Sequence, residues 1–418
     1  MLVFVLCYAL FMVLPRWRSA VACVGALALV LTGALTLPEA ILYKIHWNVI
    51  ALFFGTLVLA ELFMQSRMPA VLAEALVRRT RTVRGAMLAV CALAGVLSMF
   101  VENVAVVLLV APVALSIAER LRLSPVRLLI CIALSTNLQG TATLIGDPPS
   151  MILAGYLKMT FNDFFVYGGR AGIFFAVQVG AVAALLVCAW LLRAHRETTG
   201  EVEEEAVRAW TPSLLLIALI AGLACTSFFD PGFKWLAGTL TLVLAAIGLL
   251  WFRLGPHWLP VRDVIRSLDW DTTLFLMGIF VLVGAMSDSG WLDLLAQKLS
   301  AAVGGRLISA FILVVLTSVI LSAFVDNVPF LLAMIPVVQK MADQMQAPVP
   351  LLMYGLLIGA CLGGNITPIG ASANVVTVGL LKKQGHLVRF EEFMGIGLPF
   401  TVAAVGTSCA FVWWLWAP

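Results

Sequence analysis

Two short polar motifs recur in apolar sequence, 224 residues apart. Glu102 and Asn103 lie in the run Phe-Val-Glu-Asn-Val, and Asp326 and Asn327 lie in Phe-Val-Asp-Asn-Val. A carboxylate beside an amide can bind a proton, a cation or a polar solute, and an ionisable residue inside a membrane segment indicates a functional site. The alternative is that each carboxylate caps the following helix. Both roles are compatible, because a helix N-terminus offers N–H donors and a positive dipole end.

A second pair of motifs recurs at the same spacing. Residues 140–150 and 363–374 place glycines and prolines within otherwise apolar segments. Matched interruptions of this kind in two halves of a chain are typical of the solute site of a secondary transporter, which unwound backbone and polar side chains line. The predicted solute-binding residues are Asn103, Asn327, Thr141, Thr143, Asn365, Thr367, Ser372 and Asn374, and the predicted backbone breaks are Gly140, Gly146, Gly364 and Gly370.

Asp147 interrupts the symmetry of these breaks, because Ala371 occupies the matching position in the second half. A proton-coupled carrier needs a group that gains a proton in one state and loses it in another. Asp147 is the favoured candidate for this role, followed by Glu102 and Asp326. The structural alternative is that Asp147 caps a helix that begins at Pro148.

Composition predicts the environment of these motifs. Hydrophobic residues make up 62% of the 418 residues, charged residues make up 11%, and the mean hydropathy is +1.06. These values indicate an all-α polytopic membrane protein. A net charge of +4 gives no support to a nucleic-acid partner. The eight cysteines are scattered singly and the four histidines lack metal-ligand spacing, so we expect no metal site, no cofactor other than a proton gradient, and no enzyme activity.

Apolar runs predict ten crossings, at residues 1–15, 19–38, 47–65, 125–157, 164–192, 212–229, 234–252, 269–287, 349–381 and 394–416. Runs 85–119 and 304–341 are each divided by a Glu-Asn or Asp-Asn motif. They predict re-entrant helical hairpins, since non-helical backbone at membrane depth needs protein or a water-filled cavity around it. The predicted fold therefore has two inverted-topology repeats, each with one hairpin and one broken transmembrane helix.

The predicted organisation has five parts: N-terminal transmembrane helices (1–45), repeat 1 (46–192), a cytoplasmic linker (193–211), connecting transmembrane helices (212–268) and inverted repeat 2 (269–418). Residues 67–84 and 290–303 precede the hairpins and mix apolar with charged positions, as interfacial helices do. The acidic run Glu201–Glu205 in the linker is interpreted as a solvated charge run rather than a regulatory one.

Basic residues test this topology. Most of the 26 Lys and Arg residues, Arg18 among them, fall on one face when the hairpins return to their own side. Because cytoplasmic loops are rich in Lys and Arg, this face is predicted to be cytoplasmic and both termini to lie outside. The predicted location is the cell inner membrane. The apolar N-terminal run lacks a preceding charged region and a cleavage site, so it is interpreted as a retained helix rather than a signal peptide.

The two motif pairs, together with Pro329 and Phe330 after the second hairpin motif, resemble those of the ion transporter superfamily, in its branch of arsenite/antimonite permeases, NhaD sodium/proton antiporters and the melanosomal P protein. The resemblance covers roughly residues 46–403. It implies a scaffold and a mobile transport domain, an elevator-like movement, a homodimer, and association with a soluble ATPase. It also assigns solute binding to the hairpin asparagines and to the Thr, Ser and Asn residues of the broken helices.

The resemblance implies proton-coupled efflux of arsenite or antimonite as the leading function, because neutral trihydroxides suit polar donors and acceptors. Sodium/proton antiport remains the first alternative, since carboxylates and carbonyls are hard ligands that suit such a cation, and a permease for another small inorganic or organic ion is the second. The hairpin tips depart from the Ser-Asn-Thr pattern of the dicarboxylate branch. Carboxylates at these tips would repel a polyanion. Cys361 is the one cysteine near a break that a thiol-based arsenic site could use.

Overall fold

The computed structural model describes residues 2–14, 17–120, 124–193, 206–255 and 260–418. Most of the predicted linker, including Glu201–Glu205, therefore lies outside the described residues. The first half contains α1 (Leu2–Val13), α2 (Arg18–Leu31), a π-helical turn (Glu39–Lys44), α3 (Trp47–Gln65), α4 (Met68–Arg79), α5 (Val83–Ser98), α6 (Asn103–Arg120), α7 (Val126–Gly140), α8 (Pro148–Leu157), a 3-10 turn (Asn162–Phe164), β1 (Val166–Tyr167), β2 (Arg170–Ala171) and α9 (Ile173–Leu191).

The second half repeats the order of the main helices, but its described residues have a short helix, α12, before the long helix and no strand pair. It contains α10 (Thr211–Phe229), α11 (Leu236–Leu254), α12 (Val261–Ser267), α13 (Trp270–Asp288), α14 (Trp291–Ala302), α15 (Leu307–Ser322), α16 (Asn327–Gln344), α17 (Val349–Gly363), a 3-10 turn (Gly364–Ile366), α18 (Ser372–Lys383) and α19 (Phe390–Trp416). The predicted fold class is confirmed: the described chain is a nearly all-helical polytopic membrane protein built from two inverted repeats.

Both predicted hairpins are helix pairs that turn at the polar motif. In the first, α5 ends at Ser98 and α6 begins at Asn103; in the second, α15 ends at Ser322 and α16 begins at Asn327. Both predicted broken helices are also present, because α7 stops before the Gly-Pro segment and α8 resumes after it, as α17 and α18 do. When each broken helix counts as one and the short helices α1 and α2 are included, ten helical segments correspond to the predicted crossings.

Seven helices within the described chain are long and apolar enough to cross a membrane unaided: Trp47–Gln65, Ile173–Leu191, Thr211–Phe229, Leu236–Leu254, Trp270–Asp288, Val349–Ile366 and Phe390–Trp416. The α1 and α2 helices are shorter than their predicted runs. The predicted crossing 164–192 begins later, at Ile173, because Gly168 and Gly169 with φ of 54° and 78° form the two-residue turn of a short β-hairpin. The Gly-Gly pair before the apolar run indicates this turn, which the hydropathy pattern alone does not show.

The long helices α3 and α13 each pack closely against a helix of the other half. Gly55 of α3 faces α11, where a Cβ on Gly55 would lie 2.6 Å from Thr241 Cγ2. Its repeat counterpart Gly278 of α13 faces α2, where a Cβ would lie 2.7 Å from the Ala22 carbonyl carbon. Small residues let membrane helices approach closely. Each half therefore contributes one helix to a tight pair with the other half.

Candidate functional site

A cavity of about 390 Å³ lies between the two hairpin tips and the starts of α2 and α13. Its polar and charged lining residues come from both halves: Arg18, Glu61, Glu102, Asn103, Asn137, Asp147, Ser267, Asp269, Thr272, Asp326, Asn327 and Ser372. The exposed residues at its rim, Ser267 and Asp269, lie near the end of the molecule where α3 ends and α13 begins. The structure thus brings the two motif pairs, far apart in sequence, to one cavity.

The carboxylates at the hairpin tips cap the helices that follow. Glu102 Oε2 accepts a hydrogen bond from the Ala105 N–H at 3.0 Å, and Asp326 Oδ1 accepts one from the Val328 N–H at 3.1 Å. The side chains nevertheless remain part of the cavity wall. Capping and exposure to a solute therefore coexist at both tips, as the sequence allowed.

Asp147 has an extended backbone before α8, but its side chain makes no capping hydrogen bond. It is 7% exposed and lies in the cavity wall beside Glu102 and Asn103. Glu102 and Asp326 line the same cavity. The structural alternative for Asp147, a helix cap, is thus not what the geometry shows: the side chain belongs to a three-carboxylate cluster.

The two hairpin asparagines have different surroundings. Asn103 is 6% exposed, and its Oδ1 accepts a hydrogen bond of 2.5 Å from the Ser98 hydroxyl. Asn327 is only half-buried at the cavity wall. Ser322, the counterpart of Ser98, donates instead to the Ala360 carbonyl. In this conformation Asn103 is held by its neighbours, whereas Asn327 faces the cavity more openly.

Most of the predicted binding residues in the breaks lie behind the cavity wall. Thr143 donates to the Met99 carbonyl, and Thr367 donates to the matching Ala323 carbonyl, so each threonine ties its break to its own hairpin. Thr141 is fully buried, and its carbonyl accepts a hydrogen bond of 3.3 Å from Ser150. Of the break residues predicted to bind solute, Ser372 alone lines the cavity within the described chain.

An amide network joins the two breaks where they cross. Asn137 Nδ2 donates to Asn365 Oδ1 at 2.8 Å and to Asn374 Oδ1 at 3.0 Å. Asn374 Nδ2 in turn donates to the Gly364 carbonyl at 2.9 Å. Asn137 was absent from the predicted site, although a polar residue one turn before Gly140 in a buried helix was a usable signal. Its counterpart is Cys361, which is 2% exposed and outside the cavity lining.

The glycines at the breaks let backbone carbonyls crowd together. A Cβ on Gly146 would lie 2.4 Å from the Gly140 oxygen and 2.7 Å from the Ser98 oxygen. A Cβ on Gly370 would likewise lie 2.6 Å from the Gly364 oxygen and 2.8 Å from the Ala323 oxygen. Only glycine fits such an approach. Each half therefore concentrates carbonyl oxygens directly behind its hairpin tip.

Arg18 is a second cavity residue that the sequence prediction missed, since it was counted among the basic loop residues. It begins α2, and one guanidinium nitrogen pairs with Asp326 Oδ2 at the second hairpin tip. Its Nε lies 3.0 Å from Asp271 Oδ2, and its other terminal nitrogen donates to Thr272 Oγ1 at 2.7 Å. A repeat comparison was the available signal, because Trp17-Arg18 matches Trp235-Leu236 and only one half has the arginine.

Charge defines what the cavity can do chemically. Its wall holds the carboxyl groups Glu61, Glu102, Asp147, Asp269 and Asp326, and Arg18 is the one basic residue among the described lining residues. Such a surface attracts protons and cations and accommodates a neutral polar solute, while it repels a polyanion. The described lining includes no cysteine, so a thiolate site for a soft metal is not formed there.

Comparison with known proteins shows the kind of molecule this is. The family model described as citrate transporter (CitMHS) matches residues 8–253 and again residues 233–418. Together the two matches span nearly the whole chain. An uncharacterized transporter of Mycobacterium bovis is 29% identical over 408 residues, which cover 95% of this chain and 93% of the relative.

Two further similarities concern a human protein and a solved structure. The P protein of Homo sapiens is 27% identical over 495 residues, covering 97% of this chain and 58% of that protein. The crystal structure of the YdaH transporter from Alcanivorax borkumensis superposes with a TM-score of 0.62 at 18% identity, covering 94% of this chain and 90% of that one. The structural likeness shows that this chain shares its fold with a solved transporter.

Proposed function

The chain belongs to the citrate transporter family of membrane transporters, and we propose that it is a proton-coupled secondary active transporter for a small neutral or cationic solute. The observation that carries the proposal is the charge of the cavity: five carboxyl groups and one arginine between two hairpin tips. The same charge argues against free citrate as the solute, because citrate itself carries several carboxylates.

Proton coupling is assigned to the cluster of Asp147, Glu102 and Asp326. Asp326 is paired with Arg18, whereas Glu102 and Asp147 have no such ion pair within the described residues, so protons and a solute cation compete chiefly for these two carboxylates. Asp147 is the favoured coupling group, because it makes no helix cap and has no acidic counterpart in the second half.

Transport in this proposal follows an elevator-like movement of hairpins and broken helices against the α2–α13 and α3–α11 pairs. Support comes from the threonine bonds that tie each break to its hairpin, which make hairpin and break one body. With the basic-rich face cytoplasmic, both termini lie outside the inner membrane and the cavity opens to the cytoplasm. The homodimer and the soluble ATPase partner stay proposals that the family resemblance alone supports.

Arsenite and antimonite are the first candidate solutes, because neutral trihydroxides can hydrogen-bond to Asn103, Asn327 and Ser372 without a charge penalty. Sodium is the second, and a specific observation favours it. The Gly140 and Ser98 oxygens crowd beside Gly146, and a Cβ on Gly140 would lie 2.3 Å from Asn103 Oδ1. Clustered hard oxygens of this kind suit an alkali cation better than a soft metal.

Inside-out vesicles with an imposed proton gradient and an internal pH probe test the proposal. Arsenite, antimonite, sodium and citrate are added in turn, with choline and with vesicles lacking the protein as controls. We expect one or more of the first three to dissipate the gradient and to accumulate, whereas citrate does neither. Accumulation of citrate alone, or no response to any of the four, would contradict the proposal.

A further inference from the structure

Arg18 links a fixed pair of helices to a hairpin tip. Its side chain is 19% exposed and lies over the Phe275 ring, with 5.3 Å from the guanidinium carbon to the ring centroid. Asp271 and Thr272 hold two of its nitrogens from α13, while the third pairs with Asp326 of hairpin 2. The contacts to α13 leave Arg18 in place if the hairpin moves away, so Asp326 is the partner that changes.

Asp326 uses its two carboxylate oxygens for different tasks. Oδ1 caps α16 through the Val328 N–H, and Oδ2 receives Arg18. The cap is internal to the hairpin and travels with it. The oxygen that takes Arg18 is therefore the one that a proton or a cation from solution would use when the arginine is absent.

The first hairpin tip has no matching arginine. Glu102 caps α6 in the same manner, but the residue that matches Arg18, judged from Trp17 and Trp235, is Leu236. The matching position to Asp271 is Asn48, an uncharged amide that donates to the Phe233 carbonyl before α11 and accepts from the Gly238 N–H in α11. A cation is thus built into one of the two pseudo-symmetric junctions.

We propose that Arg18 is a tethered counter-cation of the transporter: it occupies Asp326 in this conformation, competes there with a cation from solution, and holds hairpin 2 against α2 and α13. The inference rests on the proposed function, in which the cavity carboxylates bind a proton or cation. Arg18 acts as a specificity-determining and positioning residue, because the second half of the site opens to a solution cation only when the ion pair separates. The first half has no such restriction.

Cation binding to purified full-length protein in detergent tests the competition. Thermal unfolding is followed while NaCl replaces choline chloride at constant ionic strength. If the ion pair is closed for about 90% of the time, its removal raises the apparent sodium affinity roughly tenfold. Arg18→Leu, which copies Leu236, should therefore lower the sodium midpoint by about that factor. Arg18→Lys should keep the wild-type midpoint, and Arg18→Leu with Asp326→Asn should lose the gain.

Lys44→Met is the matched control, because Lys44 pairs with Asp288 at 2.5 Å at the opposite end of α13 and touches neither hairpin tip. An unchanged sodium midpoint in Arg18→Leu would overturn the competition, provided sodium stabilises the wild type. If sodium stabilises none of the proteins, the cargo is not sodium and hydrogen exchange decides the proposal instead.

Amide hydrogen exchange tests, without any ligand, whether Arg18 holds the tip of hairpin 2 in place. Arg18→Leu should speed amide exchange at the hairpin 2 tip, residues 324–330, and leave the hairpin 1 tip, residues 100–106, unchanged. Arg18→Lys should restore the wild-type rate. Equal acceleration at both tips would show general destabilisation, and no acceleration at either would show that Arg18 does not hold the hairpin; both results contradict the proposal.

Discussion

The α3–α11 and α2–α13 junctions share one backbone design and differ in chemistry. In both, a tryptophan begins the long helix and donates its indole N–H to a preceding carbonyl, Trp47 to Ile41 at 2.7 Å and Trp270 to Ile265 at 2.8 Å. Next along the chain, however, Asn48 binds the α11 backbone, while Asp271 binds Arg18 and Ser19. The duplication preserved packing and let the charged groups diverge.

The same contrast holds at the breaks. Thr143 and Thr367 make equivalent bonds to their hairpins, and Gly146 and Gly370 make equivalent close approaches. At the position that matches Asp147, however, the second half has Ala371. Symmetric residues therefore build the fold, and the asymmetric ones are where we expect coupling to reside.

The largest expected effect comes from Asp147→Asn, which removes the asymmetric carboxylate but keeps its size. Uphill transport should fall to background, because the side chain can no longer exchange a proton, while solute exchange without a gradient is retained. The measurement is solute accumulation against exchange in the same proteoliposomes. Ala371→Asp serves as the mirror control. Normal uphill transport by Asp147→Asn would exclude Asp147 as the coupling group.

Alanine at the two hairpin asparagines should have unequal effects, although the two occupy matching positions in the repeats. Asn103→Ala leaves the buried Ser98 hydroxyl without its partner, at a cost of about 1–3 kcal/mol. Asn327→Ala, at a half-buried position, should change the midpoint of thermal unfolding less and act mainly on solute affinity. Equal losses of thermal stability in the two variants would argue that the halves are equivalent after all.

Alanine at the break glycines tests the symmetric part of the comparison. Gly146→Ala and Gly370→Ala should each cost about 1–3 kcal/mol, because a Cβ would overlap carbonyl oxygens from two segments. Gly379→Ala in α18 is the control, since nothing lies within 4 Å of its Cβ position. Thermal unfolding measures all three. A large loss of thermal stability in one break variant and none in the other would contradict the equivalence of the two backbone breaks.

Breaking the Lys44–Asp288 ion pair should have the smallest effect. The Asp288 side chain is 57% exposed, and ion pairs at such positions contribute about 0–1 kcal/mol. Lys44→Met should therefore leave thermal unfolding nearly unchanged and transport intact. A loss of transport would mean that the opposite end of α13 also participates in the movement, in contrast to the Arg18 end.

Periodicity and repeat spacing predicted most of the fold, because hairpins and breaks need polar residues and glycines at membrane depth and these stand out in apolar sequence. The carboxylate cluster was predictable for the same reason. Arg18 and Asn137 were not found, since a basic residue at a helix end resembles a loop charge, and an amide in a buried helix gains meaning only when the facing helix is known. Thr143 and Thr367 were placed in the solute site, but their hydroxyls turn to the hairpin carbonyls.

The central claim is that one cavity between the hairpin tips is reached in turn from both membrane faces. Leu108 lines this cavity and is 44% exposed, so Leu108→Cys can report its accessibility in a variant whose exposed Cys23 and Cys225 are serine. A membrane-impermeant maleimide is applied to right-side-out and to inside-out vesicles. The account predicts labelling from the basic-rich face in the resting protein and increased labelling from the opposite face in Arg18→Leu. Labelling from a single face under every solute, pH and variant would contradict it.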